Sequence, residues 1–320
     1  MSASFIYSLL LVLSFAFAPH RDPSIVVGGG TLHVNLDSDL PQATQDQLMS
    51  WVHAAADSVV AYYGKFPLTN AYLNIRSFAG TGIHNGHTFG VENGGLIRLS
   101  VGTQTPAAEF KKDWMMTHEM VHLTFPSVPD EHHWIEEGIA VYVEPIARLR
   151  AGNTSKEDAW GEMARDMQQG LPEEGDEGLD HTHTWGRTYW GGAIFCLMAD
   201  VEIRRRTHNQ KGLEDALRGI MNAGGVITQD WELKQALETG DKAVGVPVLE
   251  ELYGKMKDKP VAVDLDKLWQ ELGVARKDGK TIFNDRAPLA PIREAINTGK
   301  PGKAVNVKSS MDTLMAQAVR

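Results

Sequence analysis

The sequence predicts an α+β fold: a small mixed sheet with helices around it, followed by a mostly helical lobe. Two observations carry the prediction. Between residues 31 and 150, short alternating runs take turns with runs of helical period, and beyond residue 188 only helical periodicity recurs. A third sets the class of chain: 42% hydrophobic and 22% charged residues over 320 positions is the usage of a packed globular protein.

The first eighteen residues stand apart. Phe5 to Ala18 is an apolar run closed by the small residues Ala16 and Ala18, as in a secretory signal, so residues 1–18 are expected to direct a secreted or periplasmic location. Membrane contact is expected only if the segment stays uncleaved as a tether. Residues 19–30, ending in three glycines, read as a linker. Thr31 to Leu36 alternates like a strand and Gln42 to Tyr63 reads as an amphipathic helix. Ala71 to Ile75 reads as a strand, Ala79 to His87 as a Gly/His/Asn-rich loop, and Leu96 to Val101 as another strand. Ala107 to Thr124 reads as one helix stopped by Pro126, and Trp134 to Leu149 as the next, with Pro145 inside it.

Residues 31–150 therefore form the predicted α+β lobe and residues 151–300 the helical lobe. The latter opens on a polar loop around a helix at Lys156 to Gln169. It continues with helices at Thr188 to Arg206, Leu213 to Asn222, Asp230 to Thr239, Val248 to Lys257 and Leu265 to Leu272. Residues 301–320 read as a loosely attached tail. Lys+Arg 31 against Asp+Glu 41 gives a net charge of −10, which excludes a nucleic-acid backbone as the main partner. The single cysteine, Cys196, excludes a disulfide framework and a cysteine-based zinc cage.

The chemistry is concentrated in His118-Glu119-Met120-Val121-His122. Residues four apart share a helix face, so both imidazoles can address one ion, and Glu119 lies beside that face without joining it. Zinc suits two imidazoles with an open position, and a third protein ligand is required. Glu137 follows His122 after fourteen intervening residues, within Trp134-Ile135-Glu136-Glu137-Gly138-Ile139-Ala140, and a loop carrying Pro126 and Pro129 can turn the chain back to it. His132 and His133 read as loop residues at the mouth of that site.

WIEEGIAVYVE resembles the second zinc motif of the gluzincin metallopeptidases, with greatest similarity to the glycyl aminopeptidase and aminopeptidase N catalytic domains. The resemblance covers roughly Thr31 to Asn222 and implies a thermolysin-like fold with one zinc ion held by His118, His122 and Glu137. It implies that Glu119 activates the water that attacks a peptide bond, and that Glu144, seven residues beyond Glu137, orients a zinc-bound histidine. Thr188-Tyr189-Trp190-Gly191-Gly192 resembles the segment whose tyrosine hydroxyl donates to the oxyanion, a role that falls on Tyr189. Gly90-Val91-Glu92-Asn93-Gly94 resembles the glutamate-bearing edge strand of aminopeptidase N relatives, which implies that Gly90, Glu92 and Asn93 bind substrate and that Glu92 holds a free α-amine. The resemblance thus implies a zinc peptidase acting on peptides or proteins and leaning to aminopeptidase. A zinc endopeptidase of the same mechanism and a non-catalytic, zinc-stabilised peptide-binding descendant are the alternatives.

Overall fold

The first layer of the molecule is a five-stranded sheet in the order β1-β2-β3-β5-β4, formed by β1 (Ser24–Val27), β2 (Gly30–Leu36), β3 (Asn70–Phe78), β4 (Ile83–Val91) and β5 (Gly94–Gly102). The computed structural model describes residues 23–37, 40–305 and 311–317, so the signal-like segment 1–18 lies outside the described residues. β2, β3 and β5 run parallel, while the hairpin partners β1 and β4 run antiparallel and occupy the two edges. The mixed sheet thus has the expected character, with two strands added. The stretch read as a linker carries β1, joined to β2 through a tight turn at Gly28 and Gly29. The stretch read as a Gly/His/Asn-rich loop carries most of β4. An edge strand wetted on both faces, with a register shift between His84 and His87, shows no hydrophobic alternation to read.

Helix α1 (Gln42–Tyr63) connects β2 to β3 and buries Leu48, Val52, Ala56, Val59 and Tyr62. The predicted helix over 107–124 is broken into α2 (Ala107–Lys112) and α3 (Met115–His122). Asp113 adopts an extended backbone between them, and its Oδ2 accepts the Met116 N–H at 3.0 Å and the Trp51 indole N–H at 3.1 Å. That carboxylate satisfies a first-turn donor that would otherwise be orphaned, so the break restarts a helix. Next comes α4 (His133–Ala151), which packs against α1, α3 and the later α6 and is buried along most of its length.

The second layer is helical. It contains α5 (Lys156–Asp166), a π-helical turn at Arg187–Gly191, α6 (Gly192–Arg206), α7 (Leu213–Asn222), α8 (Leu233–Val244) and α9 (Val248–Met256). A short strand β6 (Val261–Val263), α10 (Leu265–Leu272), a small hairpin of β7 (Val274–Lys277) and β8 (Lys280–Phe283), and α11 (Ala290–Thr298) follow. Part of the stretch read as a loose tail is paired: after α12 (Met311–Leu314), β9 (Met315–Gln317) runs antiparallel to β6. Among the described residues no helix is long and apolar enough to cross a membrane.

One contact fixes how the two layers meet. α4 and α6 cross with Gly138 against Gly192, and a Cβ on either would collide with the other's backbone. Both positions must be glycine for the helices to come this close. The crossing lies one residue after Glu137 and three after Tyr189, so it sets the separation of two candidate site residues.

Candidate active site

Helix α3 supplies two imidazoles and α4 one carboxylate. His118 Nε2 lies 3.2 Å from Glu137 Oε2 and 3.3 Å from His122 Nε2, and His122 Nε2 lies 3.7 Å from the same Glu137 oxygen. Three donors arranged tetrahedrally about zinc at about 2.05 Å sit about 3.3 Å apart, so the spacing fits that ion. Among the described residues this is the one group of three or more His, Cys, Asp or Glu side chains placed to hold a metal. His118 and Glu137 are buried, and His122 is largely so. Burial lowers the His122 pKa and favours the neutral imidazole that a metal requires. Burial works the other way on Glu137, but hydrogen bonds from His118 and His133, with the charges of His122 and His118, hold its carboxyl well below the usual range.

Glu119 is buried beside this triad and is not part of it. Its Oε2 accepts the Thr88 hydroxyl at 2.6 Å, and the same hydroxyl lies 3.0 Å from the Glu119 carbonyl oxygen. Thr88 comes from edge strand β4, as does Gly86, where a Cβ would collide with the Glu119 carboxylate. Two small features of β4 thus decide where this carboxylate can sit. Thr88→Val keeps the shape and removes the donor. It should destabilise the fold by about 1.5–3 kcal/mol, the size of one hydrogen bond to a charged group; thermal denaturation measures it.

Tyr189 sits in the π-helical turn, its ring 6.4 Å from that of His118 and nearly parallel at 10°. Burial, then the negative charges of Glu137 and Glu119, push its hydroxyl up to about 12. It therefore remains a proton donor throughout the neutral range.

Three sequence expectations change. Glu144 is buried and forms an ion pair with Arg148 at 2.8 Å, one turn along α4, while the Nδ1 of His118 is buried without a hydrogen-bond partner. The Arg148 guanidinium thus engages the Glu144 carboxylate, whose pKa burial raises to about 8. Gly90, Glu92 and Asn93 lie at the β4–β5 turn, where they line a cavity of about 450 Å³ with Asn70, Ser127 and Ile227; no triad residue lines it. His133 is the first residue of α4 and bridges two carboxylates, with Nε2 3.2 Å from Glu137 Oε1 and Nδ1 3.0 Å from Glu136 Oε2. His132 is held by Asp180 at 2.9 Å.

No protein-family model and no curated protein matches the chain. Solved structures do. An aminopeptidase N family protein from Idiomarina loihiensis superposes with a TM-score of 0.59 at 11% identity, over 79% of this chain and 49% of that one. An M1 zinc metallopeptidase from Deinococcus radiodurans gives 0.46 at 16% identity, over 73% and 50% of the two chains, and yeast LTA4 hydrolase gives 0.40 at 15%, over 72% and 37%. The chain spans about half the length, or less, of these proteins. At such identity the likeness speaks for architecture, and its conclusion is that this chain is built on the α+β fold of the aminopeptidase N family protein.

Proposed function

We propose that the chain is a zinc-dependent peptidase in which His118, His122 and Glu137 hold one zinc ion. The observation that carries this reading is the triad itself: three ligand atoms from two helices at tetrahedral spacing, with the buried Glu119 carboxylate alongside and outside the triad. A zinc ion bound there supplies Lewis acidity to a carbonyl oxygen and to water. Glu119 would accept the proton of an attacking water and return it to the leaving amine. The Tyr189 hydroxyl, kept protonated, is the donor available to a developing oxyanion. The free edge of β4 offers backbone groups to which an extended peptide can add as a further strand.

The mode of attack follows from distances along that edge. Glu92 stands four residues beyond Thr88, about 13 Å along an extended chain. A peptide whose scissile bond faces Glu119 would bring its α-amine to Glu92 only from several residues upstream. Removal of a single N-terminal residue needs a much nearer anchor, so this placement favours endopeptidase cleavage over the aminopeptidase mode. The test compares a free peptide with its N-acetylated form: equal rates support the reading, and strict dependence on the free amine restores the aminopeptidase mode.

Two further outcomes are expected. Chelation should abolish hydrolysis, with activity returning on addition of about one zinc per chain, followed by metal analysis and rate together. Tyr189→Phe should lower kcat by about 10²–10³-fold at unchanged zinc content, the usual effect of removing one oxyanion donor.

A further inference from the structure

We propose that Trp114 and Trp185 form an aromatic subsite beside the metal triad, and that the preferred substrates are peptides carrying an aromatic side chain next to the scissile bond. This rests on the peptidase reading above and specifies its substrate class. Among the described residues only five large hydrophobic side chains are exposed, and two of them are these indoles, at 44% and 59%. Tryptophan is usually well buried, so an exposed pair that touches a candidate site asks for a function.

Both indoles touch rings of the site. Trp114 meets His118 edge-on, with centroids 5.3 Å apart at 86°. Trp185 stacks on Tyr189 at 5.6 Å and 24°, and Tyr189 lies over His118 at 6.4 Å. The four rings form a continuous row through the candidate centre, and the indoles at its two ends are the exposed members. Separations of about 5–6 Å are those that aromatic pairs adopt, so an added ring can extend the row at either end.

The backbone beneath each indole is anchored. Asp113, immediately before Trp114, is fixed by the Trp51 indole and the Met116 N–H. Arg187, two residues after Trp185, is buried, donates to the Gly170 carbonyl and pairs with Asp176 at 2.6 Å. Rings that are exposed on fixed supports lose little freedom when a ligand covers them, which is the economy of a preformed site.

The test uses the zinc-loaded full chain carrying Glu119→Gln, so that binding is read without turnover. N-acetylated, C-amidated pentapeptides differing only in a central Phe, Leu, Ala or Asp are titrated by calorimetry. Phe should bind about tenfold more tightly than Ala. Trp114→Ala and Trp185→Ala should each reduce the Phe-to-Ala ratio about threefold, and Trp185→Phe should keep most of it, at unchanged zinc content and circular dichroism. Equal affinity for Phe and Ala, or a ratio untouched by the double alanine variant, overturns the proposal. Hydrolysis of the same peptides by the unsubstituted chain is followed in parallel. Hydrolysis without an aromatic preference in binding refutes the subsite alone. A Trp-dependent preference without hydrolysis upholds the subsite and refutes the peptidase reading alone. Absence of both refutes both.

Discussion

Glu119→Gln should lower peptide hydrolysis by about 10²–10⁴-fold while bound zinc stays at its original level. That is the range expected when a positioned proton acceptor is lost from the transition state. Glutamine keeps the size of the side chain and can still accept the Thr88 hydroxyl, now held at 2.6 Å by Oε2. It cannot take up a proton. Since Glu119 is outside the His118–His122–Glu137 group, metal content should not follow activity. The measurement is a paired one of turnover and zinc on the same sample. Full activity in the variant would remove Glu119 from its role, and loss of zinc with activity would make it a metal-supporting residue instead.

Gly138→Ala should destabilise the chain by about 1–3 kcal/mol, or more if the backbone cannot give, and should also weaken zinc binding. The added Cβ would land on the Cα and carbonyl carbon of Gly192, in a crossing with no flexible side chain to move aside. Pushing α4 away from α6 moves Glu137 on one helix and the turn carrying Tyr189 on the other. The expected readings are a melting point lower by about 1.5–4.5 °C and a higher zinc dissociation constant in competition with a chelator. Gly254→Ala is the control: Gly254 lies inside α9 with nothing within 4 Å of the added Cβ, so stability should hold or rise slightly. Equal melting points for the Gly138→Ala and Gly254→Ala variants would show that the crossing does not set the site.

What could be read from the sequence follows from the range over which each signal acts. α1, α7 and α10 have their predicted bounds because each is a local amphipathic pattern closed by local turns. The metal triad was legible because His118 and His122 are one helical turn apart and Glu137 sits in a recognisable segment. Thr88 and Gly86 were not, because β4 is polar and bulged, and only the fold brings it to Glu119. Asp113 split a continuous helical pattern by capping, a choice made partly by Trp51 sixty-two residues earlier. Glu144 shows the opposite failure. The resemblance implied a histidine as its partner, and in the structure Arg148, one turn away on the same buried face, engages the carboxylate. The indole row was invisible for the same reason as Thr88, since Trp114 and Trp185 become neighbours of one centre only because the fold lays the Tyr189 ring over His118.

Anomalous diffraction at the zinc edge from crystals of the zinc-loaded chain tests the central claim most directly. The account predicts one ion per chain, with the Nε2 atoms of His118 and His122 and Oε2 of Glu137 each about 2.0–2.2 Å away. An ion bound elsewhere, or a Glu137 carboxylate turned away from both imidazoles in the loaded protein, would contradict it.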